Sequence, residues 1–174
     1  MKRNAQVAAT MLYWMLFVVM ILITIAMVGC GIITAWSIAG WLSPRIHEQM
    51  TAIFAHSGDG AAMVLNPLLM LLALAMLALA FRMLWHLRAV TGRVRRGDPF
   101  APENGRDVYR VAWMLLALQI GSVILNVARP ELGACPTPHH QFDATALLSV
   151  LVALVLAGVF REGTRLRDDV AGTI

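Results

Sequence analysis

The residues in this chain best suited to redox or metal chemistry are two cysteines and five histidines. Cys30 and Cys135 could form a disulfide in an oxidising compartment, although a buried free thiol is the more ordinary role for cysteine. A thiol-oxidising membrane enzyme needs reactive cysteines close in sequence, such as Cys-x-x-Cys, and no such pair occurs. Cys135, His139 and His140, with His47 or His56, are zinc-ligand types. Their Cys-x-x-x-His-His spacing in a proline-rich loop is unspecific. A transmembrane b-type haem needs facing histidines inside the spans, and only His86 comes near, at a span end. No phosphate-binding P-loop, Gly-x-Ser-x-Gly elbow or His-Glu-x-x-His appears. The expectation is a non-enzymatic chain with no catalytic residue, no cofactor and no metal site.

The elements that must position these residues are apolar. The chain of 174 residues is 59% hydrophobic and 14% charged, with mean hydropathy +0.71, whereas soluble domains carry roughly 25% charged residues. Its apolar residues fall in four blocks of about 18 to 26 residues, against the roughly 20 that cross a bilayer. The expected fold is all-α, an integral membrane four-helix bundle forming a single transmembrane domain over residues 1–174. The spans are expected at about 11–36, 67–86, 107–128 and 144–161, with a tail over 162–174. Met1-Lys2-Arg3 before apolar sequence imitates a signal peptide. The apolar stretch Met11 to Trp36 is longer than the roughly 7–15 residues of a signal core, so it is expected to be the first retained span.

Local signals place the boundaries. Ser43-Pro44 and Asn66-Pro67 each offer a capping side chain followed by proline at the first helical position. After Pro44, Ile46, Met50, Ile53 and Phe54 share one face, which predicts a short helix on the membrane surface. Ser57-Gly58-Asp59-Gly60 predicts a turn. Pro102 and Glu103 suit the start of the third span, and Asp143 can cap the fourth. Gly31, Ala35 and Ala39 form a small-residue stripe suited to close helix approach. Gln119 and Asn126, seven residues apart, are expected as intramembrane polar contacts that act as interhelical glue.

Basic residues orient the chain. Lys2, Arg3, Arg82, Arg88, Arg93, Arg95, Arg96, Arg106, Arg110, Arg161, Arg165 and Arg167 fall on one side of this topology, and only Arg45 and Arg129 on the other. The positive-inside rule then makes both termini and the Arg88–Arg106 loop cytoplasmic. Trp14, Trp85 and Trp113 lie at the inner interface, and Trp36 and Trp41 at the outer. A net charge of +4 is explained by anionic lipid on the cytoplasmic side rather than by nucleic acid. The expected location is the bacterial inner (plasma) membrane, as a multi-pass protein.

Two segments on that side carry most of the residues that could meet a partner: Gly97-Asp98-Pro99-Phe100-Ala101-Pro102-Glu103-Asn104 and Phe160-Arg161-Glu162-Gly163-Thr164-Arg165-Leu166-Arg167-Asp168-Asp169-Val170. The second continues an apolar span without any proline or loop signal. Glu162 with Arg106 or Arg110, and Glu103 with Arg161 or Arg165, are expected to clasp the two segments together, at about 0–1 kcal/mol per exposed pair. With the ending Thr173-Ile174, these motifs resemble the YoaS-like domain-of-unknown-function family of small bacterial four-span inner-membrane proteins. The family often has Ser or Thr at the position of Ala101, so a helix cap is missing here. Members are often encoded beside a small helix-turn-helix regulator. The resemblance therefore implies a membrane protein coupled to a cytoplasmic transcription factor, and it lends no catalytic residues.

The function expected is a partner-binding or regulatory membrane component acting through its cytoplasmic loop and tail. The motif residues are Gly97, Pro99, Phe100, Glu103, Asn104, Phe160, Arg161, Glu162, Gly163, Arg165 and Leu166. Partners are anionic lipid, a small helix-turn-helix regulator and further copies of the chain, with no direct contact to nucleic acid. The alternative is a small solute transporter or an oligomeric channel.

Overall fold

The computed structural model describes residues 2–54, 66–98, 101–131 and 144–171. All its regular elements there are helices: α1 (Lys2–Leu42), α2 (Pro44–Phe54), α3 (Pro67–Arg95), α4 (Pro102–Glu131) and α5 (Ala144–Ala171). Four of them are long and apolar enough to cross a membrane, over Thr10–Leu42, Pro67–Arg95, Pro102–Val127 and Leu147–Leu166. The chain is thus all-α and a multi-pass membrane protein, as its composition requires. Large apolar side chains such as Leu22, Ile25, Ile32, Leu68, Ile120 and Val155 stand exposed along the spans, where lipid rather than water is the solvent.

The helix starts follow local chemistry. Asn66 Oδ1 accepts hydrogen bonds from the Leu68 and Leu69 amides at 3.0 and 3.4 Å, so Asn66 caps α3 and Pro67 takes the first helical position. At Ser43 the break is minimal: its amide donates to Ala39 O at 3.0 Å, while its carbonyl accepts from Ile46 and His47 at 3.1 Å. One residue therefore separates α1 from α2, the expected surface helix of 11 residues. Ile46 on α2 is half-buried and Ile53 is exposed. The turn expected at Ser57–Gly60 and the proposed cap Asp143 lie outside the described residues, as do Cys135, His139 and His140.

The end of α3 explains one glycine. Gly97 has φ of +90°. The Asp98 amide donates to Arg93 O at 3.2 Å and the Gly97 amide to Val94 O at 3.0 Å. This is a Schellman ending, whose left-handed residue is glycine because a Cβ would clash there. Pro102 opens α4 four residues beyond Asp98, and the Asn104 amide donates to Ala101 O at 2.9 Å. Ala101 brings no side-chain acceptor to this helix start and is buried instead.

The chain forms two compact units: Met1–Leu22 with Ala80–Ala117 and Ala144–Ile174, and Ile23–Leu79 with Leu118–Asp143. In the first, Leu16 and Met20 of α1, Val108, Val111 and Ala112 of α4, and Val150, Ala153 and Ala157 of α5 are buried. On α4, Asn104 and Asp107 precede the apolar members of the same stripe, giving positions 104, 107, 108, 111 and 112 on one face. In the second unit Leu69 and Met70 are buried, and an added Cβ at Gly121 would lie 3.2 Å from the Met76 sulfur. The small residues of α1 buried there are Thr34, Ser37 and Gly40, not the expected Gly31, Ala35 and Ala39. Ala35 is exposed, Gly31 has open space beside it, and the Thr34 hydroxyl donates to Cys30 O at 2.7 Å. That internal bond satisfies a polar side chain on a packing face, which a pattern of small residues alone does not reveal. Of the 14 basic residues, the second unit holds only Arg45 and Arg129.

Replacing Gly97 with Ala forces a Cβ into the left-handed region. The expected cost is about 1 kcal/mol, seen as a lowered unfolding midpoint in detergent, with Gly97→Asn closer to wild type. Equal midpoints for Gly97→Ala and wild type would show that the turn relaxes freely.

Candidate functional site

The first unit contains a buried polar centre on the hairpin of α3 and α4. Asp107, with a side chain only 7% exposed, accepts from Arg93 Nη1 at Oδ2 over 2.7 Å. Its Oδ1 lies 3.0 Å from His86 Nδ1 and 3.4 Å from Arg110 Nη1. Arg93 Nη1 also donates to Asn104 Oδ1 at 3.0 Å, and Asn104 is fully buried. An ionised carboxylate only accepts hydrogen bonds, so the His86 ring must carry its proton on Nδ1. His86 and Arg93 are seven residues apart on α3, and Asn104 and Asp107 three apart on α4. Each pair therefore shares a helix face, and the reversal around Gly97 brings the faces together.

A second tie joins α3 to α1. Arg88 Nη2 donates to the Tyr13 hydroxyl at 2.8 Å, and its guanidinium carbon lies 4.6 Å from the Tyr13 ring centre and 4.7 Å from that of Phe17. Arg95 adds a third such contact, 4.8 Å from the Tyr13 centre. Aromatic faces here supply the partial negative charge that carboxylates supply at Asp107, at about 0.5–2 kcal/mol per contact. A cleft of about 340 Å³ lies beside them, lined by Tyr13, Trp85, Arg88, Gly92, Arg93 and Arg96.

The third feature is where α4 meets α5. A Cβ at Gly105 would lie 3.6 Å from the Arg161 amide nitrogen and 3.8 Å from Ala157 O, so the two helix backbones approach closely there. Beside this crossing runs a groove of about 550 Å³ with Pro102, Arg106, Tyr109, Leu154, Gly158 and Arg161 on its walls.

The two motifs singled out in the sequence are therefore neighbours, but their expected clasp is not what joins them. Glu162 pairs within its own helix with Arg165 at 3.7 Å, Arg110 turns to Asp107, and Glu103 is exposed with no ion pair among the described residues. The reason is geometric: at so close a crossing, backbone meets backbone, and long side chains project past each other into the surroundings. Gly97 shapes the turn, Asn104 is sequestered, Phe160 and Gly163 are half-buried, and Arg161, Glu162, Arg165 and Leu166 are exposed. Pro99 and Phe100 lie outside the described residues. Gln119 and Asn126, in the second unit, are half-buried and make no side-chain hydrogen bond among the described residues. Cys30 is a free, half-buried thiol. No group of three or more His, Cys, Asp or Glu suited to a metal occurs among the described residues.

Sequence reasoning missed the Asp107 centre. Its available signal was the pair of acid and amide residues leading directly into an apolar i, i+3, i+4 stripe, opposite a histidine and an arginine one heptad apart.

Removing one partner of a buried ion pair leaves the other uncompensated, at about 3–5 kcal/mol. Asp107→Ala is expected to lose that much stability in detergent unfolding. Asp107→Ala with Arg93→Met should recover part of the loss, because no buried charge is then left alone. Strictly additive losses would contradict a direct pairing.

No curated protein and no solved structure matches the chain. A family model does, over residues 47–174, described as protein of unknown function (DUF2975). The match takes in the whole Asp107 centre and both motifs, and it does not extend to the YoaS-like label. On that match over most of its length, the chain belongs to the DUF2975 family.

Proposed function

We propose that this protein is a partner-binding, regulatory component of the bacterial inner membrane that acts through its cytoplasmic loop and tail, without catalysis of its own. The observation that carries this reading is α5. It runs unbroken for 28 residues to Ala171, beyond the end of its membrane-crossing stretch at Leu166, and holds Leu166 at 59% exposure beside exposed Arg165, Glu162 and Asp169. A large apolar side chain among the charged residues at this end offers a partner one anchor position. The helix ends flanking the adjoining turn are held by Gly97 and by Arg93 bridging to Asn104 and Asp107, so a partner meets helix ends that are already fixed. The concentration of basic residues in one unit supports placing both termini in the cytoplasm. The resemblance to proteins encoded beside helix-turn-helix regulators supports a small cytoplasmic regulator as the partner.

Further copies of the chain are a second class of partner, since between 11% and 22% of each span window is buried within one chain. The rival reading, a small solute transporter or oligomeric channel, draws support from Asp107, because ionisable residues within spans mark ion paths by default. Against it, three donors already occupy that carboxylate, which suits a structural tie better than a binding site for a passing ion.

Two measurements test the reading. Reporter fusions at the two termini should both score as cytoplasmic, and a split result removes the docking surface. Co-purification from native membranes should yield a cytoplasmic protein that Leu166→Asp with Arg165→Glu depletes about tenfold, as loss of an anchor residue does. Unchanged recovery of every cytoplasmic protein would sink the proposal.

A further inference from the structure

The groove between α4 and α5 combines features that the partner reading does not use. Its walls include two arginines, Arg106 and Arg161, both exposed and neither with a carboxylate partner among the described residues. Tyr109, half exposed, stands on the same wall with its ring edge-on to Trp113 at 6.2 Å, and its hydroxyl is a hydrogen-bond donor. The remaining lining is apolar or small: Pro102, Leu154, Ala157 and Gly158. Such a site has cationic and phenolic donors at one level and hydrocarbon-like walls at the next. Its volume of about 550 Å³ lies within the roughly 300–1,000 Å³ of small-molecule sites.

Both walls belong to membrane-crossing helices, over Pro102–Val127 and Leu147–Leu166. The apolar part of the groove continues along Leu151, Leu154 and Val155, which are exposed along α5. An occupant must therefore satisfy two guanidinium groups that have no carboxylate partner among the described residues, and also offer a chain to the apolar wall. Guanidinium groups match phosphate oxygens in a planar, two-point fashion. A soluble anion meets only the first requirement.

We propose that this groove is a binding site for one anionic phospholipid, with its phosphate held by Arg106, Arg161 and Tyr109 and an acyl chain lying along Leu154 and Gly158. The close approach at Gly105 sets the two arginines on facing walls, and the absence of a side chain at Gly158 leaves the room the chain occupies. A Cβ at Gly158 would meet nothing within 4 Å, so a larger residue there fills the groove without disturbing the helix crossing. The site is independent of the docking surface at Leu166, so either can fail alone.

Native mass spectrometry of the full-length chain, exchanged into mixed micelles of phosphatidylglycerol and phosphatidylcholine, tests this site. The wild type should retain one phosphatidylglycerol per chain, with a preference over phosphatidylcholine of at least about tenfold. Arg106→Gln with Arg161→Gln should abolish the preference, and Gly158→Phe should weaken it with every charge intact. Leu166→Asp should leave it unchanged. Circular dichroism and melting of each variant confirm that helicity is kept. Equal retention of the two lipids overturns the site, as does a double arginine variant that behaves as wild type. Loss with the arginine variant but not with Gly158→Phe overturns the groove in favour of diffuse attraction to the basic surface. Displacement of the lipid by inorganic phosphate, beyond that caused by sodium chloride of equal ionic strength, overturns the lipid as occupant and assigns the arginines to a soluble anion.

Discussion

A single carboxylate, that of Asp107, organises the arginine-rich end of this protein. Burying an anion is costly unless donors replace the water it gives up, and Arg93, His86 and Arg110 do so from three directions. Arg93 contributes most, because the nitrogen that bonds the carboxylate also donates to the buried Asn104. That arrangement exists only if α3 ends in time for the chain to reverse. The left-handed Gly97 and the proline that opens α4 are thus part of the same constraint. Charge, turn and helix register depend on one another, so a change in any of them is felt in the other two.

The same end of the molecule has more cations than anions to match them. Part of the excess is absorbed by aromatic faces, with Arg88 and Arg95 over Tyr13 and Phe17. Arg106 and Arg161 have no such contact among the described residues. A membrane supplies negative charge in its headgroups, which gives a physical reason why these two can stay exposed. The distribution of basic residues is then a division of labour: some hold helices together, and others remain available to the surroundings.

Features governed by neighbouring residues were legible in the sequence. Asn66-Pro67 and Ser43-Pro44 mark helix starts because a cap and a proline act within one turn. The four long apolar blocks are spans because length and composition alone decide that. The uninterrupted passage from Phe160 into charged sequence is a helix because nothing there breaks one. What escaped notice lies between elements. His86 and Asp107 are 21 residues apart, and no local rule pairs them; Asp107 simply reads as a polar residue at a span boundary. The glutamate clasps failed for the opposite reason, since opposite charges at plausible depths suggested pairs that the close Gly105 crossing does not form. On α1, counting small residues pointed to Ala35, whereas a threonine that satisfies its own hydroxyl was free to be the buried one.

The first helix also acts as a gauge. From Trp14 to Trp36 the α-helical rise of 1.5 Å per residue gives about 33 Å, and both rings are exposed, as anchors at the two headgroup boundaries are. The hydrocarbon thickness of a typical bilayer is about 30 Å. A tilt of roughly 20–25° reconciles the two lengths, within the ordinary range for membrane helices. In a thinner film the helix must lean further or draw a tryptophan off its boundary, and α2, joined to it through one residue, would be carried along. Bilayer thickness therefore sets the lean of this helix.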